Sequence, residues 1–237
     1  MRLINLISGP RNISTALMYA FAQRPDTLVS DEPFYACYLK HTGVEHPGKI
    51  EVMRSQSADP ESVTRHLLEV KTRPLCFVKN MAHHLTYVPH SFNEMASNVF
   101  LIRNPSHILA SYVQVITAPT LDDIGVAAQF NLFHRLSSQG TRPIVVDAGL
   151  LLENPAAVIA QLCDRLEVPY YQEMLQWPAG PKPYDGVWAR YWYENVHRST
   201  GFQRQATSSR PLPDALKSLD KEAQYYYSQL LPYSLRA

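Results

Sequence analysis

Short, nearly continuous apolar runs alternate along this chain with stretches in which apolar residues recur every three or four positions. The runs at residues 3–7, 27–30, 75–78, 99–102 and 144–146 read as β-strands, and their unbroken apolar character predicts burial on both faces. Helical spacing follows at residues 14–24, 60–70, 106–116, 124–138 and 155–166, the last opened by Asn154 as cap and Pro155 in the first turn. A strand–helix alternation of this kind predicts a three-layer α/β/α architecture around a central parallel sheet. After Val168 the pattern gives way to proline and aromatic residues as far as Pro213, and a polar helix is expected over residues 214–231. Residues 1–237 therefore read as one domain, with 168–237 a lid or substrate-facing extension of it.

Two strand-to-helix junctions carry candidate chemistry. The first is Leu3-Ile-Asn-Leu-Ile-Ser-Gly-Pro-Arg-Asn-Ile-Ser-Thr, in which a tight loop runs into a helix that opens on two hydroxyl residues. Backbone N–H groups and the positive helix end converge there, an arrangement that suits an anion such as phosphate. An ordinary turn with Ser14 or Thr15 as N-cap would explain the hydroxyls, but it has little use for the fixed charge of Arg11. A Walker A loop is not present, because Ser14 and Thr15 occupy the places of its second glycine and its lysine. The second junction is Val99-Phe-Leu-Ile-Arg-Asn-Pro-Ser-His, with Arg103 at the strand end and Ser111 about two helical turns later. An exposed arginine and a helix-face serine would be the plain account of that pair.

Composition narrows the classes of partner. A formal net charge of +1 leaves no basic excess for non-specific binding to nucleic acid or an anionic membrane, so phosphate binding has to be local. The three cysteines, Cys37, Cys76 and Cys163, are odd in number and widely spaced, which predicts reduced thiols and a cytoplasmic setting. The N-terminal apolar run is too short for a signal peptide, and no segment has the length needed to span a bilayer. No His or Cys cluster calls for a metal.

Together the two junctions resemble the signatures of sulfotransferases that use 3′-phosphoadenosine 5′-phosphosulfate (PAPS). The family's first loop typically reads Pro-Lys/Arg-Ser-Gly-Thr/Ser-Thr and holds the 5′-phosphosulfate; here it is Pro10-Arg11-Asn12-Ile13-Ser14-Thr15. Its second signature is an arginine in Arg-Asn-Pro with a serine eight residues on, both at the 3′-phosphate, and Arg103 with Ser111 fits. The strand and Asn-Pro segment at residues 144–155 is similar too. Asp31-Glu32-Pro33-Phe34-Tyr35-Ala36 resembles a segment of bacterial sulfotransferase-like proteins and of the sulfotransferase-like part of plant branched-chain aminotransferase-like proteins. The resemblance covers most of residues 1–170 and implies a P-loop-containing nucleotide hydrolase-like fold. Ile13 departs from it by standing where the family usually has glycine, so a positive φ there would be strained unless the loop takes another path.

That resemblance implies in-line transfer of a sulfuryl group from PAPS to a hydroxyl or amine of a small-molecule acceptor, without metal. Arg11 is the candidate for stabilising charge on the departing phosphate oxygen. Glu32 and His84 rank level as general base, with His83 beside them, all just beyond strands at residues 27–30 and 75–78. The mundane account makes Glu32 an arginine's partner and the histidines a partly exposed helix start. The aromatic stretch at residues 188–197 reads mainly as core and less readily as an acceptor wall. Two other readings stay open: a P-loop nucleotide or small-molecule kinase with Asp147 as magnesium ligand, and a non-catalytic PAPS- or PAP-binding protein.

Overall fold

A computed structural model describes residues 1–69, 72–113, 116, 118–203 and 212–236. Five parallel strands, β1 (Arg2–Ser8), β2 (Thr27–Asp31), β3 (Leu75–Met81), β4 (Ser97–Ile102) and β5 (Ile144–Asp147), form one sheet in the order β2-β3-β1-β4-β5. All five runs identified from the sequence are strands. The helices are α1 (Ser14–Ala22), α2 (Tyr35–Thr42), α3 (Lys49–Ser55), α4 (Pro60–Glu69), α5 (His90–Met95), α6 (Pro105–Tyr112) and α7 (Leu121–Ile124). They continue with α8 (Val126–Ser138), α9 (Ala148–Glu153), α10 (Pro155–Arg165), α11 (Ala189–Trp192), α12 (Glu194–His197) and α13 (Lys217–Leu230). The far ends of the helices expected over 60–70 and 106–116 fall at residues 70, 114 and 115, outside the described residues.

Alternation along β1 sorts the core into two layers. Ile4 and Leu6 pack with Leu17, Phe21, Ile159 and Leu162 of α1 and α10, whereas Leu3 and Ile7 pack with Leu67, Phe92, Phe133 and Leu230 on the opposite face. Both layers are apolar, which is why the strands show no polar alternation. Asn5, at the centre of β1, is one of several buried polar strand residues. It donates to Asn93 and Asn98 at 3.0 Å and accepts from Asn80 at 2.8 Å, a buried amide chain tying β1 to β3 and β4.

Local sequence sets the helix starts. Asn104 accepts from the Ser106 N–H at 3.0 Å and Asn154 from the Ala157 N–H at 3.3 Å, and each is followed by a first-turn proline. The periodic stretch at 124–138 is one helix, α8, from Val126 onward; Gly125, with a left-handed φ of 70°, separates it from α7, which ends at Ile124. The chain end returns to the sheet, where the Leu235 N–H donates to the Val145 carbonyl at 2.9 Å. No helix among the described residues is long and apolar enough to cross a membrane.

Candidate functional site

In a parallel sheet the segments following each strand emerge at the same edge, and a crevice opens where neighbouring connections diverge. Here that edge holds a cavity of about 560 Å³. Pro10, Arg11, Asn12, Ile13, Ser14 and Thr15 line it from the loop after β1, and Arg103 and Ser111 from the end of β4 and from α6. Glu32, Lys79, His83 and His84 line it from the ends of β2 and β3. Every residue singled out in the sequence for this chemistry thus borders one space.

The loop after β1 is held in a left-handed path at two non-glycine positions, Arg11 (φ 55°) and Ile13 (φ 50°). The loop therefore keeps the positive φ at Ile13 in spite of the β-branched side chain, a conformation costing about 1–2 kcal/mol. Ile13 offsets part of that by packing against the α1 layer of the core. Ile13 is itself the N-cap of α1 and supplies no side-chain hydrogen bond, so neither Ser14 nor Thr15 caps the helix. Gly9 has a separate reason to be glycine: a Cβ there would lie 2.4 Å from the Ile124 carbonyl oxygen.

Two guanidinium groups meet at the α6 side. Arg11 Nε donates to Ser111 Oγ at 2.9 Å, and Arg103 Nη1 donates to the Arg11 carbonyl at 2.8 Å. Burial lowers the pKa of both, and for Arg103 the nearby Arg11 charge adds to the effect. Arg11 has no carboxylate partner among the described residues, and the buried Asn12 Oδ1 has no hydrogen-bond partner there. Two neighbouring cations beside an uncapped helix start fit a phosphate-bearing ligand.

A second cluster in the cavity lining is built around Lys79. Asp31 and Lys79 are register partners on β2 and β3, and Lys79 Nζ bonds Asp31 Oδ1 at 2.9 Å and Glu32 Oε1 at 2.5 Å. Glu32 pairs with this lysine and not with an arginine. It too has a left-handed backbone, φ 41°, fixed by its N–H donating to the Lys79 carbonyl at 2.8 Å. Burial raises the Glu32 pKa and the Asp31 charge adds to the rise, while Lys79 opposes it. Burial alone would discharge Lys79, but the two carboxylates outweigh it and hold the ammonium above its ordinary value.

His84 is buried in a 3-10 turn, Ala82–Tyr87, and stacks on Tyr35 with ring centroids 4.5 Å apart. Its Nδ1 stands 3.7 Å from Glu32 Oε2, too far for a hydrogen bond. Burial pushes its pKa well below the usual histidine value and takes His83 down to about 4, so both rings are neutral near pH 7. The expectation of a partly exposed helix start is corrected for His84, which the aromatic rings of α2 enclose.

The aromatic stretch at 188–197 contributes to the core, as its main reading had it. Trp188 and Tyr193 are core residues and also line the cavity. The Tyr193 hydroxyl reaches Asp31 at 2.8 Å and Lys79 Nζ at 2.6 Å. Sequence reasoning missed this contact; the register of Asp31 with Lys79 would have exposed the charge pair, but nothing local marks Tyr193. Asp147 is otherwise engaged. It caps α9 by accepting from the Leu150 N–H at 3.0 Å and takes the Tyr227 hydroxyl at 3.0 Å, so a magnesium role finds no support in its contacts. Cys37, Cys76 and Cys163 are buried free thiols.

The family model of the sulfotransferase domain matches residues 1–231. Branched-chain-amino-acid aminotransferase-like protein 2 of Arabidopsis thaliana is 40% identical over 207 residues, covering 85% of this chain and 36% of the plant protein. Protein 1 of the same name and organism is 38% identical over 208 residues, covering 87% and 37%. The chain thus spans little more than a third of the length of these relatives. Among solved structures, the sulfotransferase domain from the Synechococcus PCC 7002 olefin synthase superposes with a TM-score of 0.60 at 18% identity, covering 94% of this chain and 95% of that one. A sulfotransferase from Alicyclobacillus acidocaldarius gives 0.56 at 15% identity, covering 100% and 97%. These two likenesses are of fold.

Proposed function

The chain belongs to the sulfotransferase domain family, and from that premise we propose that it moves a sulfuryl group from PAPS to an acceptor hydroxyl or amine. One observation carries the reading: the paired arginines and the Glu32–Lys79 cluster border the same cavity. The cationic end, with Arg11, Arg103, Ser111 and the start of α1, would hold the phosphates of the donor. In the transfer, the acceptor oxygen or nitrogen forms a bond to sulfur as the bond from sulfur to the phosphate oxygen breaks. The electron pair of the broken bond stays on the departing 3′-phosphoadenosine 5′-phosphate (PAP), and Arg11 is the cation positioned to stabilise it.

The acceptor's proton goes to Glu32. A carboxylate whose pKa is lifted by burial is a stronger base than an exposed one, which suits it to work nearer neutral pH. His84 faces the second carboxylate oxygen at 3.7 Å, and burial lowers its own basicity. The kinase reading is disfavoured by the missing loop lysine and by the capping role of Asp147.

Isothermal titration calorimetry with PAP, in the absence of any divalent metal, tests the reading. Saturable binding at micromolar or better affinity is expected, with ATP and magnesium binding far more weakly. No heat with PAP alongside tight binding of magnesium ATP would overturn it.

A further inference from the structure

Two neighbouring polar atoms in the cavity lining have no hydrogen-bond partner among the described residues. His84 is only 1% exposed, and its Nδ1 makes no hydrogen bond there. Glu32 Oε1 is taken up by Lys79 at 2.5 Å, whereas Oε2 has His84 Nδ1 at 3.7 Å, beyond hydrogen-bond reach. A neutral imidazole carries one N–H. Beside a carboxylate oxygen that proton is better placed on Nδ1, since a bare nitrogen would set two lone pairs against each other. Nδ1 is then a buried donor left unpaired, which is costly unless a ligand completes it. Two groups 3.7 Å apart can both reach one oxygen atom set in front of them, the donor to its lone pair and the carboxylate to its proton.

The surrounding side chains indicate what that oxygen is attached to. The lining carries the rings of Tyr35, Tyr112, Trp188 and Trp192, with Tyr35 stacked on His84 at 4.5 Å and Trp188 edge-on to Tyr35 at 5.3 Å. Its permanently charged residues, among those described, are Arg11 and Arg103, assigned to the donor, and Glu32 and Lys79, paired with each other. No group remains to match a charge on the acceptor. A phenol, with a pKa of about 10, yields its proton far more readily than an alkanol, which suits a carboxylate base. We propose that His84 is an acceptor-binding residue, whose Nδ1–H joins Glu32 Oε2 in seating the hydroxyl of an uncharged phenol-type acceptor among these rings. The inference deepens the reading above and rests on it. As the phenol oxygen bonds to sulfur and PAP departs with the electron pair, the hydroxyl proton passes to Glu32 Oε2 and the proton on His84 stays where it is. His84 thus orients the nucleophile and is not the base.

Calorimetric titration of the PAP-saturated protein with 2-naphthol tests the assignment without turnover. Saturable binding is expected, with glucose, cationic tyramine and anionic 4-hydroxybenzoate each weaker by about tenfold or more. His84→Phe keeps a ring against Tyr35 but has no N–H. It should weaken 2-naphthol by about five- to tenfold, the scale of one lost hydrogen bond, while PAP affinity stays within about threefold. His84→Asn has a side-chain amide that can donate from near the position of Nδ1, so it should recover most of that loss; a merely structural role for the ring would not give this rescue. His84→Ala takes the place of His84→Phe if the larger side chain proves unstable. The proposal is overturned, with the donor site left in place, if 2-naphthol does not bind a protein that binds PAP, or if glucose or either charged phenol binds as tightly. Unchanged 2-naphthol affinity in His84→Phe, or His84→Asn as weak as His84→Phe, overturns it too. Failure of the wild-type protein to bind PAP at all would instead remove the reading on which it stands.

Discussion

At the scale of single residues, the proposed donor site raises the question of which cation would read which phosphate. Arg103 bonds the Arg11 carbonyl and Arg11 bonds Ser111, so the two guanidiniums and the serine act as one cluster. If that cluster receives the 3′-phosphate, Arg103→Ala should cost about 2–4 kcal/mol of PAP affinity, the scale of a lost charge-assisted contact. Binding of AMP, which has no 3′-phosphate, should barely change in the same titrations. Equal losses for both nucleotides would mean that Arg103 serves mainly to hold the loop through the Arg11 carbonyl. The geometry around the cavity is costly in its own way: Arg11, Ile13 and Glu32 all have left-handed backbones there. Such strain persists only where surrounding contacts over-determine it, and here the Arg103 and Lys79 bonds supply them.

At the scale of elements, legibility followed the strength of the local signal. The strands were readable as short apolar runs, of which β1, β3, β4 and β5 are buried on both faces while the edge strand β2 leaves Leu28 and Ser30 half-buried, and α6 and α10 were readable because Asn-Pro both caps and starts them. The short helices α2, α3 and α5 were not readable. They carry no side-chain cap, and they form because tertiary contacts hold them, as when the Gln56 side chain accepts from the Ala36 N–H at 3.1 Å. The site divides the same way. Arg11, Glu32 and Arg103 lie next to strand ends and were visible in the sequence, whereas Tyr193 reaches Lys79 across 114 positions and left no trace. Gly9 gives a test of element packing, since its missing Cβ is what lets the Ile124 carbonyl at the end of α7 close on the donor loop. Gly9→Ala should lower unfolding free energy by about 1–3 kcal/mol, as overpacking does, and weaken PAP binding as well. Urea unfolding measures the first effect, and an unchanged midpoint would mean that α7 moves aside freely.

At the scale of the whole molecule, the donor end is assembled only by folding. Arg11 and Thr15 belong to the loop and helix after β1, Arg103 to the end of β4, and Ser111 to α6, so the cluster that would grip PAP has no counterpart in the unfolded chain. A ligand that binds only the folded state stabilises it by RT ln(1 + [L]/Kd), or about 2.7 kcal/mol when the ligand is at a hundred times Kd. For a chain of this size each kilocalorie moves the unfolding midpoint by about 2–4 °C, which puts the expected rise with PAP at about 5–11 °C. Under the proposed metal-free binding, the rise should survive EDTA. AMP at the same concentration should raise the midpoint by much less, because it lacks the 3′-phosphate that Arg103 and Ser111 are proposed to meet. Scanning calorimetry of the protein with PAP, AMP and magnesium ATP in parallel separates the possibilities. A large shift with PAP alone supports a donor site that reads the 3′-phosphate. Equal shifts with PAP and AMP would leave a general nucleotide site, and the assignment of Arg103 and Ser111 would then fail, whatever the fold has in common with its relatives.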